Sequence, residues 1–138
     1  MENGGGSMIH IIVTSHGGLA EGLMESSNML IGEQENVECI TFAPDMGAEE
    51  LDEIYAEKIT EVSNENQYLI LCDIKGGTPF NVVSRYSFKN DNVTVIYGVN
   101  LPTLVTALLE AQNEGATLAG LTESLRQQFN ETIGVSDI

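Results

Sequence analysis

The segment that decides the fold is YLILCDIKGGTPFN, residues 68–81, in which a short apolar run ends at Asp73 and two glycines precede a helical pattern. Near-continuous apolar runs of this length are typical of strands buried on both faces of a parallel sheet. Similar runs occur at residues 9–15, 37–42 and 93–99, and a helical period follows each. The alternation predicts an α/β, doubly wound domain whose four parallel strands, in the order 2-1-3-4, are covered by helices on both faces.

The helical segments are recognised by apolar residues spaced three and four positions apart. The clearest stripe spans residues 101–109, and further helices are predicted after Leu19 and at 51–62, 79–88 and 118–129. The closing residues, ETIGVSDI, alternate weakly and carry no helical stripe. They predict a short final strand, which can lie on a partner subunit.

The length of 138 residues suits one compact domain with a single core. The opening residues, MENGGGS, are polar and glycine-rich and precede a second methionine, so we interpret residues 1–7 as a cloning remnant and residues 8–138 as one domain.

Cys39 and Cys72 lie far apart in apolar segments. This placement indicates buried, reduced thiols rather than a metal or redox motif.

The chain is strongly acidic, with 21 Asp and Glu against 5 Lys and Arg and a formal net charge of -16. Such a surface repels phosphate backbones and anionic headgroups, which disfavours nucleic acid and favours a protein partner that presents a basic patch. No apolar run reaches the roughly 20 residues of a membrane helix, and no signal segment follows Met8. A cytoplasmic location is therefore expected.

A histidine and an aspartate follow the two central strands of the predicted sheet. In open α/β sheets, ligands bind beyond the carboxyl ends of the strands, where neighbouring connections leave in opposite directions. For the order 2-1-3-4 this point lies between strands one and three, beside His16 and Asp73. A carboxylate that accepts a hydrogen bond from one imidazole nitrogen leaves the other nitrogen free as a nucleophile or base. We predict these two residues as the catalytic pair, and His10, at the opposite strand end, as structural or simply exposed.

The residues around this pair favour an anion site. The candidate phosphoryl-binding residues are three glycines, whose backbone N–H groups can approach a ligand closely, and two hydroxyl side chains: Gly17, Gly76, Gly77, Ser15 and Thr78. Thr78 is predicted as the N-cap of the third helix, with Pro79 at its first position. A helix start attracts anions, so a phosphoryl group on His16 would meet donors there. Considered alone, Asp73 can simply cap a helix or turn, and the GGTP segment can be an ordinary helix start without a ligand.

At these residues the chain resembles the enzyme IIA domains of the mannose family in the phosphoenolpyruvate-dependent sugar phosphotransferase system. Three motifs carry the resemblance: TSHGGLAEG at residues 14–22, LCDIKGGTPFN at 71–81 and YGVNLPTL at 97–104. GEQENV at 32–37 adds support, and the resemblance runs from Met8 to about Phe129 and on through the tail.

The resemblance implies a phosphocarrier that needs neither cofactor nor metal. His16 would accept a phosphoryl group at Nε2 from the phosphohistidine of the carrier protein HPr, while Asp73 holds Nδ1–H. It would then pass the group to the IIB component, which phosphorylates sugar entering through a membrane permease. A homodimer with an exchanged antiparallel fifth strand near the carboxyl terminus is also implied. The transported sugar, the roles of Lys75 and Asn100, and the presence of a following IIB domain are left open.

Two other functions fit a histidine in a crevice. One is a regulatory module that binds a small anion or nucleotide without covalent chemistry, although the chain contains neither a Walker loop nor a GxGxxG fingerprint. The other is a hydrolase in which His16 acts as a base, although only nearby hydroxyl groups offer a nucleophile.

Overall fold

The computed structural model describes residues 8–138, and the segment interpreted as a cloning remnant, residues 1–7, lies outside the described residues. The strands are β1 (Met8–His16), β2 (Val37–Phe42), β3 (Asn66–Cys72) and β4 (Val93–Tyr97). The helices are α1 (Leu19–Ile31), α2 (Ala48–Lys58), α3 (Thr78–Lys89), α4 (Leu101–Glu110) and α5 (Leu118–Gln128), followed by a 3₁₀ turn at Phe129–Glu131. No helix within residues 8–138 is both long enough and apolar enough to cross a membrane.

The strands form one parallel sheet in the order β2-β1-β3-β4, which confirms the predicted topology. β1 lies in the centre and pairs with β2, where His16 faces Phe42, and with β3, where Thr14 faces Cys72. β1 leads into a helix on one face of the sheet and β3 into a helix on the other. Their carboxyl ends therefore border the crevice in which doubly wound domains place ligands.

The hydrophobic core lies in two layers because successive strand residues point to opposite faces of the sheet. Leu69 and Leu71 of β3 face the layer that contains α1, α4 and α5, whereas Tyr68 and Ile70 face α2 and α3. All four side chains are at most 4% exposed. This burial on both sides explains why the third strand is an unbroken apolar run.

Three predicted elements end earlier in the structure than the apolar pattern indicates. α2 ends at Lys58 rather than at residue 62, and Glu61 adopts a positive φ of 54°, which does not continue a helix. β4 ends at Tyr97 rather than at residue 99, because Gly98 has a φ of 75°. α5 ends at Gln128, and the predicted last residue instead opens the 3₁₀ turn.

The tail after Glu131 forms no strand within the described chain. Its apolar side chains Ile133, Val135 and Ile138 are 82%, 98% and 113% exposed. A strand exchanged with a second copy would pair only in the assembly, so the exchanged strand and the homodimer stay predictions.

The two cysteines carry free thiols, as predicted, but they differ in burial. Cys72 is fully buried at the end of β3, whereas Cys39 is only partly buried beneath α1. Burial raises the pKa of the Cys72 thiol to about 12 and that of Cys39 to about 11. Both thiols are therefore protonated and weakly nucleophilic at neutral pH.

Candidate functional site

The imidazole of His16 and the carboxylate of Asp73 meet at the carboxyl ends of β1 and β3. Oδ2 of Asp73 lies 2.8 Å from Nδ1 and 2.9 Å from the backbone nitrogen of His16. The other oxygen, Oδ1, accepts a hydrogen bond of 2.9 Å from the backbone N–H of Ile74. Because an ionised carboxylate only accepts hydrogen bonds, Nδ1 must carry the proton. The lone pair of the neutral ring is therefore on Nε2.

The Asp73 carboxyl group is held in its charged form. Burial at the strand end acts to raise its pKa, but the hydrogen bonds from the backbone and ring of His16 and from Ile74 outweigh this effect and lower the pKa below its ordinary value. Its side chain is only 11% exposed, whereas that of His16 is 48% exposed. Asp73 is thus a fixed and largely buried hydrogen-bond acceptor, whereas the imidazole of His16 is accessible to a partner.

Phe42 fixes the ring from the side of β2. Its ring lies edge-on to the imidazole of His16, with the centroids 5.6 Å apart and the planes at 81°. The Phe42 carbonyl also accepts a 3.0 Å hydrogen bond from the N–H of Gly17. Phe42 is not among the site residues that the sequence predicts. The available signal was its position at the end of the predicted second strand, directly beside His16 in the sheet.

The start of α3 faces the Nε2 edge of the imidazole. A Cβ atom placed on Gly77 would lie 2.8 Å from Cε1 and 3.4 Å from Nε2 of His16, so the backbone approaches the ring at a distance that only glycine permits. Gly77 has extended backbone angles and its carbonyl accepts the first helical hydrogen bond, from Asn81. Gly77 is therefore the N-cap of α3, and the prediction that Thr78 has this role was wrong by one residue.

The other candidate phosphoryl-binding residues differ in what they offer. Thr78 is half-buried in the first turn of α3, beside Gly77. Gly76 makes the turn before the helix with a φ of 86°, and its carbonyl accepts a hydrogen bond from the Asn81 side chain. Gly17 also has a positive φ, of 57°, but its N–H is already bonded to β2. Its amide is therefore not a free donor.

Two hydroxyl groups of β1 are engaged inside the protein. Ser15 is fully buried, and its Oγ accepts a 2.8 Å hydrogen bond from the N–H of Ala20, which fixes the start of α1. Thr14, also fully buried, shares a 2.7 Å hydrogen bond with the hydroxyl of Tyr55 on α2. Adjacent residues of a strand point to opposite faces, so these side chains anchor helices on either side of the sheet.

His10 and Asn100 lie away from the His16–Asp73 pair. His10, at the other end of β1, stacks on Tyr68 and its Nε2 lies 2.6 Å from Oδ1 of Asn66, so it has the structural setting that was predicted. Asn100 caps α4 by accepting a hydrogen bond from the N–H of Thr103, and its Nδ2 donates to Thr132.

Replacing Gly77 by alanine tests the close approach of α3 to the ring. The backbone angles suit alanine, but the new methyl group would lie 2.8 Å from Cε1 of His16 and 3.0 Å from Cγ2 of Ile74, both below van der Waals contact, and would displace the imidazole and the neighbouring isoleucine. A displacement near 1 Å is expected to slow chemistry at Nε2 by about 10²-fold. The rate of the phosphoryl transfer that the resemblance implies measures this loss, and circular dichroism checks the fold.

Gly18→Ala is the matched control, because a Cβ atom at Gly18 meets nothing within 4 Å and its φ of -87° suits alanine. This variant should keep its transfer rate within about twofold of wild type, since an exposed substitution free of strain has a small effect. Equal rates in the Gly77 and Gly18 variants would contradict the steric account.

Comparison with known proteins assigns the chain to a family. The family model EIIA-man, described as the PTS system fructose IIA component, matches residues 10–125. The PTS system mannose-specific EIIAB component of Escherichia coli K12 is 40% identical over 106 residues, which are 77% of this chain and 33% of that protein. The chain thus spans about a third of the length of this relative. The PTS system fructose-specific EIIA component of Bacillus subtilis is 31% identical over 128 residues, 93% of this chain and 86% of that protein.

Solved structures agree with the sequence relatives. The phosphotransferase system component EIIA from Streptococcus agalactiae superposes with a TM-score of 0.84 at 28% identity, covering 93% of this chain and 97% of that chain. The mannose/sorbose specific IIA subunit from Enterococcus faecalis gives a TM-score of 0.82 at 26% identity, covering 95% and 96%. The sheet order, the paired strand ends and these matches lead to one conclusion. The chain belongs to the EIIA-man family of IIA components of the sugar phosphotransferase system.

Proposed function

We propose that this IIA component carries its phosphoryl group on Nε2 of His16. The observation that carries the proposal is the 2.8 Å hydrogen bond between Nδ1 of His16 and Oδ2 of Asp73, on a ring that is 48% exposed. The bond fixes the tautomer in which Nε2 has the lone pair, and the exposure lets a partner protein reach it. The donor in this proposal is phospho-HPr and the acceptor is a IIB component, as membership of the family suggests.

The transfer is a displacement at phosphorus. The lone pair of His16 Nε2 forms a new N–P bond as the N–P bond of the donor histidine breaks, and that electron pair returns to the donor imidazole. The donor leaves as a neutral ring when its other nitrogen holds a proton. The Nδ1 proton stays on His16, and the positive charge that develops on the ring is balanced by Asp73.

The start of α3 supplies the stabilisation that the incoming phosphoryl oxygens need. The first N–H groups of a helix have no partner within the helix and carry partial positive charge, which makes a helix start a site for anions. In α3 this start lies beside Nε2, at Gly77. We assign phosphoryl contacts to the backbone N–H of Gly77, whose hydrogen bond to the Ile74 carbonyl is long at 3.5 Å, and to the hydroxyl of Thr78. Ser15 and Gly17 act indirectly here, by holding the strand end that bears His16.

Labelling of the intact chain tests the proposal. With phosphoenolpyruvate, enzyme I and HPr, we expect about one acid-labile, alkali-stable phosphate per chain, as phosphohistidine chemistry requires. Adding IIB should discharge the label onto IIB rather than into solution. Mass spectrometry gives the stoichiometry, and fragmentation at alkaline pH locates the modified residue.

The same measurement separates the other two functions. A non-covalent anion or nucleotide module would gain no covalent phosphate, and a hydrolase would release free phosphate from its donor at each turnover. Either result would reject the phosphocarrier assignment. We also propose that the protein acts in the cytoplasm and forms a homodimer. Size-exclusion chromatography with light scattering tests the dimer.

A further inference from the structure

The side chain of Asn81 holds the peptide unit between Gly76 and Gly77. Asn81 is the fourth residue of α3 and is exposed. Its Nδ2 group donates a 3.1 Å hydrogen bond to the Gly76 carbonyl, and its backbone N–H donates a 2.9 Å bond to the Gly77 carbonyl. The backbone bond belongs to the helix itself, whereas the side-chain bond depends on the identity of the residue at this position.

The bond to the Gly76 carbonyl also sets the direction of the Gly77 N–H. Every peptide unit within residues 8–138 is trans, and a planar trans unit directs its C=O and its N–H to opposite sides. The Gly76 carbonyl points along α3 towards the Asn81 side chain. The Gly77 N–H therefore points away from the body of the helix, beyond the helix start.

This N–H is available to a ligand beside His16. It lies 3.5 Å from the Ile74 carbonyl, which is longer than the 2.7–3.2 Å, roughly, of ordinary N–H···O hydrogen bonds. A Cβ atom on Gly77 would lie 3.4 Å from Nε2 of His16. The amide nitrogen of Gly77 is bonded to the same Cα atom, so it lies within about 6 Å of Nε2. A phosphoryl group on Nε2 and one hydrogen bond span this gap.

Two adjacent glycines would leave this peptide unit free to rotate if nothing held it. Gly76 has a φ of 86°, which with the contact between Gly77 and Ile74 describes a type II turn over residues 74–77. Glycine adopts positive and negative φ about equally readily, so the turn alone does not fix one orientation. A donor contributes most to a transfer reaction when it is oriented before the charge arrives.

We propose that Asn81 is a positioning residue for phosphoryl transfer, which aims the Gly77 N–H at the phosphoryl group on His16. The inference rests on the proposed phosphocarrier function and deepens it. Asn81 acts only through the peptide unit that follows Gly76. A side chain that merely stabilised the start of α3 would change the free energy of unfolding, but it would not change the hydrogen bond between Gly77 and the phosphoryl group.

Asn81→Ala tests the effect on the rate, because it removes the side-chain bond and keeps the helical one. We expect the transfer rate at saturating phospho-HPr to fall about fivefold, the factor by which a typical hydrogen bond shifts an equilibrium. The HPr concentration at half-saturation should stay the same. The matched control is Asn36→Ala, which removes a 3.2 Å bond from an asparagine Nδ2 to the Ile9 carbonyl at the opposite edge of the sheet. Its rate should stay within about twofold of wild type.

The amide proton resonance of Gly77 reports the hydrogen bond itself. Nuclear magnetic resonance of ¹⁵N-labelled protein, kept phosphorylated by phosphoenolpyruvate, enzyme I and HPr, measures how far this resonance moves on phosphorylation. In wild type we expect a downfield shift, because a charge-assisted hydrogen bond forms to the phosphoryl oxygen. The shift should be reduced to about half or less in the Asn81 variant, where the N–H is no longer held in one direction. It should be complete in the Asn36 variant.

The possible results separate the positioning role from the carrier function. An Asn81 variant that transfers within twofold of the wild-type rate overturns the positioning role. A slower Asn81 variant with an unchanged Gly77 shift, or an equal loss of rate in the Asn36 variant, overturns it as well. A wild-type chain that takes up no phosphate rejects the phosphocarrier function, and the positioning role with it. Full labelling of a slow Asn81 variant after long incubation shows that the carrier function is intact.

Discussion

Replacing His16 by alanine is expected to abolish phosphoryl labelling, lowering uptake from phospho-HPr by more than about 10³-fold. No other side chain can take over the role, because the second histidine of the chain, His10, lies at the opposite end of β1. The hydroxyl groups of Thr14 and Ser15 on the same strand are buried and engaged in hydrogen bonds. The readout is acid-labile phosphate per chain, measured with enzyme I and HPr in excess.

His10→Ala is the matched control for this result. The substitution removes a stacking contact with Tyr68 and a 2.6 Å hydrogen bond to Asn66, so it should lower the free energy of unfolding by about 1–2 kcal/mol. It leaves the crevice untouched, and labelling should remain at about one phosphate per chain. Labelling that survives in the His16 variant, or that disappears in a folded His10 variant, would contradict the assignment.

The topology and the paired site were accessible from the sequence because both depend on local patterns. Apolar runs too short for helices, each followed by a helical period, specify parallel strands. Once their order is fixed, the chemistry at the ends of β1 and β3 must meet, and His16 and Asp73 do so with a 2.8 Å hydrogen bond. No side-chain detail was needed for that step.

The details that escaped prediction depend on contacts between segments far apart in the chain. The glycine pattern predicts Gly17 as a backbone donor, but its N–H is bonded to the carbonyl of Phe42, a residue of another strand. The cap of α3 is Gly77 rather than Thr78, at the place where the helix start contacts the ring of His16. The position of Ser15 predicts a ligand for the phosphoryl group, yet its hydroxyl fixes the N-terminus of α1. Local propensity contains no information about such partners.

Replacing Asp73 by asparagine is expected to slow phosphoryl transfer by about 10²- to 10⁴-fold while leaving the fold intact. The carboxylate accepts three hydrogen bonds, two from His16 at Oδ2 and one from Ile74 at Oδ1. An amide has one oxygen, so its NH2 group must face a backbone N–H, either that of His16 or that of Ile74. If it faces His16, Nδ1 must become an acceptor, and the proton then occupies Nε2 and blocks attack on phosphorus. If it faces Ile74, the neutral amide no longer balances the positive charge that develops on the ring.

Asp91→Asn serves as the control, because it removes the same charge from an exposed loop residue. Its transfer rate should match wild type, whereas the Asp73 variant should show slow transfer from HPr with little change in the HPr concentration at half-saturation, because the docking surface is unchanged.

The folded-state pKa of Asp73 lies below its ordinary value of 3.8, so its contribution to stability is present above that pH and is lost as the pH falls through the lower folded-state pKa. The difference in unfolding free energy between wild type and the Asp73 variant should therefore shrink at more acidic pH. A wild-type rate in the folded Asp73 variant would show that the carboxylate does not set the tautomer of His16.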